Sequence, residues 1–266
     1  MRNRLKLILI SFRNGLHNEM VFRSDFFMGI VRIVLRALLL FALWQALYEG
    51  KTRIDGITLE TMVFYALASI VFEILISSKI EGTISGDINS GNISMMFARP
   101  LKYPETLLLG QVSTTGVNMI LRVLPYSLIL IVIYFTMNPA VVISVPLILS
   151  ALLSYVLFSL YQMFFGLISF WTMEITGIIE ARDAAMLVFS GSMIPLWFFP
   201  DWLFRLAEYL PFQAMFHTPL SIMIRKLEGR SAWEAITVQA LWLLVFSVLV
   251  YLVWIKAKRR VVVNAG

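Results

Sequence analysis

Residues 84–104 read ISGDINSGNISMMFARPLKYP. The stretch is polar, carries Asp87, Arg99 and Lys102, and is punctuated by Gly86, Gly91, Pro100 and Pro104. On one side lies ETMVFYALASIVFEILISS (60–78), and on the other ETLLLGQVSTTGVNMILRVLPYSLILIVIYF (105–135). Two long apolar runs joined by a short polar piece are the pattern of helices crossing a bilayer and a connection lying outside it. The glycines and prolines bound that connection, so it reads as a short helix between two turns rather than a loose loop.

The whole chain has the same character. Of its 266 residues 59% are apolar and 14% charged, and the mean hydropathy is +0.83. Soluble domains are about 45–50% apolar. The apolar runs are continuous and do not alternate with period two, which disfavours a transmembrane β-barrel. Helices satisfy their own backbone hydrogen bonds in lipid. The predicted fold is therefore an all-α polytopic membrane protein, organised as one domain with no internal repeat.

Six spans are predicted, over 26–48, 60–78, 105–135, 140–170, 184–199 and 236–255. The third corresponds to about 46 Å of helix, longer than a ~30 Å hydrocarbon core. It must tilt, kink near Pro125 or protrude. The segment 1–24 places Leu5, Ile8, Leu9, Phe12, Leu16 and Met20 at helical spacing with Arg2, Arg13 and His17 elsewhere on the wheel. That is a basic amphipathic helix lying in the membrane interface. It lacks the small-residue cleavage site of a signal peptide.

Six spans put both termini on one side. Counting Lys and Arg gives 13 on the side of the termini and of 79–104, and 6 on the other. The positive-inside rule then places both termini and the opening stretch in the cytoplasm. The net charge of +6 lies at span ends, so it calls for lipid headgroups rather than nucleic acid. With no Cys and two distant His residues, neither a disulfide nor a metal centre is expected.

Four ionisable residues fall inside spans: Arg32, Arg36, Glu73 and Arg122. Each needs a partner or water at that depth. Arg32 or Arg36 can meet Glu73 at matching depth. Arg122 reads either as a charge on a substrate path or as a structural or snorkelling side chain. Between spans five and six, PLWFFPDWLFRLAEYLPFQAMFHTPL (195–220) holds four of the nine prolines and a dense set of aromatics. It is too apolar for a solvated loop and too broken for one helix. We read 200–235 as an external re-entrant segment, with an ordinary surface helix as the alternative.

In the opening stretch Ile84, Asp87, Ile88, Gly91, Ile93, Arg99, Pro100 and Leu101 follow the form Ile-x-x-Asp-Ile-x-x-Gly-x-Ile…Arg-Pro-Leu. Residues 190–212, SGSMIPLWFFPDWLFRLAEYLPF, follow a small-Gly…Pro…Pro…Leu-Pro-Phe form. Taken in order, these features resemble the membrane permease of the type-2 ABC exporter family, over nearly the whole chain. The likeness is to the small six-span subfamily that works with a separate ATPase.

The resemblance implies a multi-pass permease of the bacterial cytoplasmic (inner) membrane. It implies two ABC-type ATPase subunits as partners, which hold ATP and Mg, and a second permease copy or a related permease. It also implies a cytoplasmic coupling segment, 79–104, in which Asp87, Ile88, Gly91, Met95, Arg99 and Pro100 contact the ATPase. Pro195, Pro200 and Pro211 would belong to an external gate, and the N-terminal helix would be the elbow. This chain has no G-x-x-x-x-G-K-[ST] sequence, so no catalytic residue is assigned to it. Aromatic and Met-rich spans suit a lipid, a hydrophobic drug or a peptide as exported substrate. An ion-coupled secondary transporter and a non-transporting scaffold are the other readings.

Overall fold

The computed structural model describes residues 12–13, 23–93, 102–172 and 175–264. The interfacial helix expected over 1–24 lies outside the described residues, except for Phe12, Arg13 and the first two residues of the first long helix. Met95, Arg99 and Pro100 also lie outside them.

The first long helix is α1, Arg23–Leu47. Its outward face, with Phe27, Leu35, Leu38 and Leu39, is exposed and apolar, while Leu40 and Trp44 are buried. A β-hairpin follows, β1 (Arg53–Ile54) against β2 (Ile57–Thr58). Its turn is Asp55-Gly56, both with positive φ (50° and 80°). That dipeptide is the preferred two-residue hairpin turn.

Helix α2, Leu59–Ile76, starts at Thr58, whose side chain accepts from the Thr61 N–H. It runs on through a break at 77–79 into α3, Ile80–Asn89. Helix α4, Tyr103–Asn118, continues through a π turn at Met119–Val123 into α5, Leu124–Met137. Pro125 supplies the reason for the π turn. It has no N–H to give and its ring crowds the carbonyl four residues back, so the ladder shifts by one residue. The chain then reverses at Asn138, in the left-handed conformation with φ 47°, ahead of Pro139.

Helix α6, Val145–Leu167, is capped by Ser144 and carries Pro146 in its first turn. It is the central helix. Leu157, Met163 and Leu167 on it are fully buried. Helix α7, Thr176–Phe189, follows a 3-10 turn at Ile168–Phe170. Three short helices come next: α8 (Asp201–Glu208), α9 (Pro211–Met215) and α10 (His217–Met223). The last is α11, Arg230–Asn264, which packs along α6.

Among the described residues five helices are long and apolar enough to cross a membrane: Phe27–Leu47, Leu59–Asn89, Tyr103–Met137, Val145–Phe170 and Arg230–Arg260. The fifth span expected from sequence, 184–199, takes a different form. The helix α7 begins earlier, absorbing a polar run read as a connection, and stops at Phe189. Its 14 residues give about 21 Å, short of a ~30 Å core.

Beyond α7 the chain runs irregularly to Pro195 and then through a 3-10 turn at Leu196–Phe198. Gly191 has φ +75°, and a Cβ there would lie 3.1 Å from His217. Pro195 and Pro200 remove two more donors. Ser190, Gly191, Ser192, Pro195 and Leu196 are nevertheless buried within the protein, while Met193 and Ile194 between them stay exposed.

Candidate functional site

The bundle has two distinct ends. One carries the β-hairpin, and the other carries α3, the helix formed by the first half of the opening stretch.

At the α3 end, Ser77 leaves helical geometry with ψ 142°. Its carbonyl accepts from Gln111 Nε2 at 2.8 Å, and its hydroxyl accepts from Asn118 Nδ2 at 3.0 Å. The break between α2 and α3 is therefore held by two side chains of α4. Within α3, Ile80 and Ile84 are buried, while Gly82, Thr83, Gly86 and Asn89 are exposed. The buried face lies on α6 at Gly166. A Cβ on Gly166 would come within 2.8 Å of Ile84 Cδ1 and 2.9 Å of Glu81 Cα. Only glycine lets the two backbones approach this closely.

Two polar contacts hold α3 from its sides. Arg182 of α7 forks onto both carboxylate oxygens of Glu81, and it also donates to Asp183 at 2.6 Å. The Arg182 side chain is 5% exposed. A bidentate guanidinium–carboxylate pair fixes orientation as well as separation. At the other end of α3, Tyr103 Oη donates to Asp87 Oδ2 at 2.8 Å. The Tyr103 ring stacks on Trp254 of α11, with centroids 5.7 Å apart. Glu81, Gly166 and Asp87 thus link one short helix to α7, α6, α4 and α11. What remains open is a face of small polar residues.

The expected coupling residues divide accordingly. Asp87 is half-buried and bonded within the chain. Ile88 is half-buried and packs on the core. Gly91 is exposed and turns the chain with φ +73°.

Of the charges inside spans, Arg36 Nη1 donates to Glu73 Oε2 at 2.7 Å, forming the ion pair that matching depth suggested. Arg32 is exposed on α1. Arg122 lies half-buried in the π turn.

The Pro-rich segment between α7 and α11 enters the bundle. Phe198 contacts Trp44 near the hairpin end of α1, with ring centroids 5.3 Å apart. From there α8 leads to α9, where Phe212 reaches Tyr161 of α6 at 6.0 Å. Tyr161 is about 24 Å along α6 from Val145. The chain then returns through α10, where the Met223 carbonyl accepts from the Val142 N–H at 2.8 Å. The chain thus runs from the hairpin end into the bundle and back, the course that the expected re-entrant segment would take.

The break between α9 and α10 leaves the Ala214 carbonyl without a helical partner. Gln239 of α11 supplies one at 2.7 Å and Ser154 of α6 another at 3.2 Å. Pro195 and Pro200 bound the irregular entry, and Pro211 starts α9.

The family described as ABC-2 family transporter protein matches residues 34–264. The chain belongs to that family. It is a multi-pass membrane permease subunit of an ABC transporter, a membrane subunit rather than a catalytic one. Among curated proteins none matches it.

Several residues that hold the permease together escape a reading of its sequence. Gly166 sits inside a continuous apolar run, where nothing marks a helix crossing. Arg182 lies in TMEITGIIEARD, whose polarity mimics a loop, and its partner is 101 positions away. Gln239 is a lone amide near the start of the last span. A polar residue inside an apolar helix was the available signal for it, and Tyr65, which donates to the Gly191 carbonyl at 2.7 Å, carried a similar one.

Proposed function

We propose that this permease exports a hydrophobic or amphipathic substrate, such as a lipid, drug or peptide, driven by a separate ATPase that binds at α3. The observation that carries the reading is the way α3 is held. It is held to α7, α6 and α4 through Glu81, Gly166 and Asp87, yet keeps a polar face open. A helix bound in this way cannot move without moving the spans. A connection that merely joined two spans would need none of these contacts.

In this reading the α3 end is cytoplasmic and the hairpin end external, in accord with the excess of Lys and Arg on the α3 side. The membrane is a bacterial cytoplasmic membrane. Two permease copies, or this one and a related one, form the path, with two ATPase subunits below them. ATP and Mg belong to those subunits. Closure of the ATPases displaces α3, and α6 carries the displacement across the bilayer. The re-entrant element on the external side then opens the path.

The test is reconstitution with the cognate ATPase in vesicles loaded with a short-chain fluorescent phospholipid or a hydrophobic dye. Probe movement is expected to require ATP and both subunits. Movement driven by an ion gradient without the ATPase would establish the secondary-transporter reading instead.

A further inference from the structure

Arg182 has a second set of contacts that its ion pair with Glu81 does not explain. Its guanidinium carbon lies 5.7 Å from the centroid of Tyr161 and 5.6 Å from that of Phe165, both on α6. These are cation–π distances. The Tyr161 ring in turn meets Phe212 edge-on at 6.0 Å and an interplanar angle of 81°. Phe212 is the second residue of α9, at the deep end of the re-entrant element. It also stacks on Phe189, the last residue of α7, at 6.3 Å and 21°. Arg182 and Phe189 are on the same helix, so the contacts close a loop. Glu81 leads to Arg182, then to Tyr161 and Phe212, then through Phe189 back to α7.

We propose that Arg182 is the positioning residue that ties α3 to the tip of the re-entrant element, with the Tyr161 ring passing the displacement between them. The inference rests on the reading of α3 as the coupling helix. Its physical basis is that each contact in the series is directional. The guanidinium fork fixes Arg182 to Glu81, and the charge holds the ring faces of Tyr161 and Phe165. An edge-on aromatic pair then sets the angle of Phe212. Both Arg182 and Tyr161 are buried, so solvent does not screen the series. The neutral alternative, in which α3 moves α6 alone and the re-entrant element follows passively, predicts that the Arg182 charge is dispensable for gating.

A series of contacts is not in itself evidence of coupling, so the test must read coupling directly. The chain has no Cys, which permits site-specific spin labels. One label replaces Tyr209, 81% exposed beside α9, and the other replaces Ile143, 86% exposed near the start of α6. The distance between them is measured in the reconstituted complex with its ATPase, nucleotide-free and with ATP plus vanadate.

The parent complex is expected to change distance on trapping. R182Q is expected to keep the resting distance and lose the change, with transport of the fluorescent phospholipid falling roughly tenfold, in the range of ordinary coupling energies. R182K, which keeps the charge but not the fork, is expected to restore only part of the change. If R182Q does not assemble, Phe212→Leu supplies the same reading, since it breaks the edge-on contact and leaves every charge in place. A full distance change in R182Q or in Phe212→Leu overturns the proposal. A parent complex with no change removes the coupling reading and this inference with it.

Discussion

Ile84 and Gly166 stand so close that a single added carbon on Gly166 would lie 2.8 Å from the Ile84 Cδ1. This crossing is where the short helix α3 rests on the central span α6. Because the second close atom is the Cα of Glu81, at 2.9 Å, rotation of one side chain cannot relieve the clash. Gly166→Ala should therefore push α3 away from α6. Overpacking of this kind costs roughly 1–3 kcal/mol. The expected outcome is a lower melting temperature of the purified permease and more ATP hydrolysed per substrate moved. Unchanged values of both would show that the crossing is looser than described.

Asp87 tests the second clamp. Tyr103→Phe removes the donor to Asp87 while keeping the ring on Trp254. The bond is partly exposed, so its loss should cost only about 1 kcal/mol. Asp87→Ala should have the same effect on stability, and the two substitutions together no more than either alone. Chemical denaturation of the three variants checks this. Additive losses would mean that Asp87 and Tyr103 act independently. On the coupling reading, substitution of Asp87 or Ile88 also raises hydrolysis without transport, while the protein still reaches the membrane.

The break between α9 and α10 is held largely by the amide of Gln239. Gln239 Nε2 donates to the Ala214 carbonyl, to Ser154 Oγ at 3.0 Å and to the Ser150 carbonyl at 3.3 Å. Gln239→Leu keeps the bulk and leaves these acceptors poorly served, a loss of about 1–3 kcal/mol. The measurable result is faster protease cleavage or hydrogen exchange confined to 200–223. Exchange that rises equally along α6 and α11 would instead indicate general unfolding.

Arg36 and Glu73 are two charges at membrane depth, with side chains 32% and 44% exposed. Glu73→Leu alone leaves an unpaired cation there, at a cost of roughly 3 kcal/mol. Arg36→Met together with Glu73→Leu should recover most of the loss, because paired apolar replacements of buried ion pairs are often neutral. Membrane yield and melting temperature of the single and double variants decide it. A double variant as poor as the single one would assign the pair a role beyond mutual neutralisation.

Much of the fold was legible because membrane insertion writes its demands into composition. The apolar runs, the Pro-rich break at 195–220 and the depth match of Arg36 with Glu73 all follow from the cost of polar groups in lipid. The fifth span was misplaced for the same reason. The run TMEITGIIEARD has the polarity of a loop, yet α7 begins within it at Thr176, and its Arg182 is buried against Glu81 while Glu180 and Asp183 stay exposed. The parts of the candidate site that could not be read are those defined by pairing across the chain. Nothing near Arg182 announces Glu81, and nothing near Gly166 announces Ile84. The prolines showed where helices stop, but the depth of Phe212 beside Tyr161 depends on the packing of α6, α9 and α11 together.

The central claim is that the open face of α3 docks on an ATPase. A photo-crosslinking amino acid placed at Thr83 or Asn89, both exposed on that face, tests it most directly in membranes containing the cognate ATPase. Trp202, 69% exposed on α8, serves as the control position. Adducts between permease and ATPase are predicted from Thr83 and Asn89 and not from Trp202. Adducts absent from both α3 positions, in a complex that still hydrolyses ATP and moves substrate, would contradict the account.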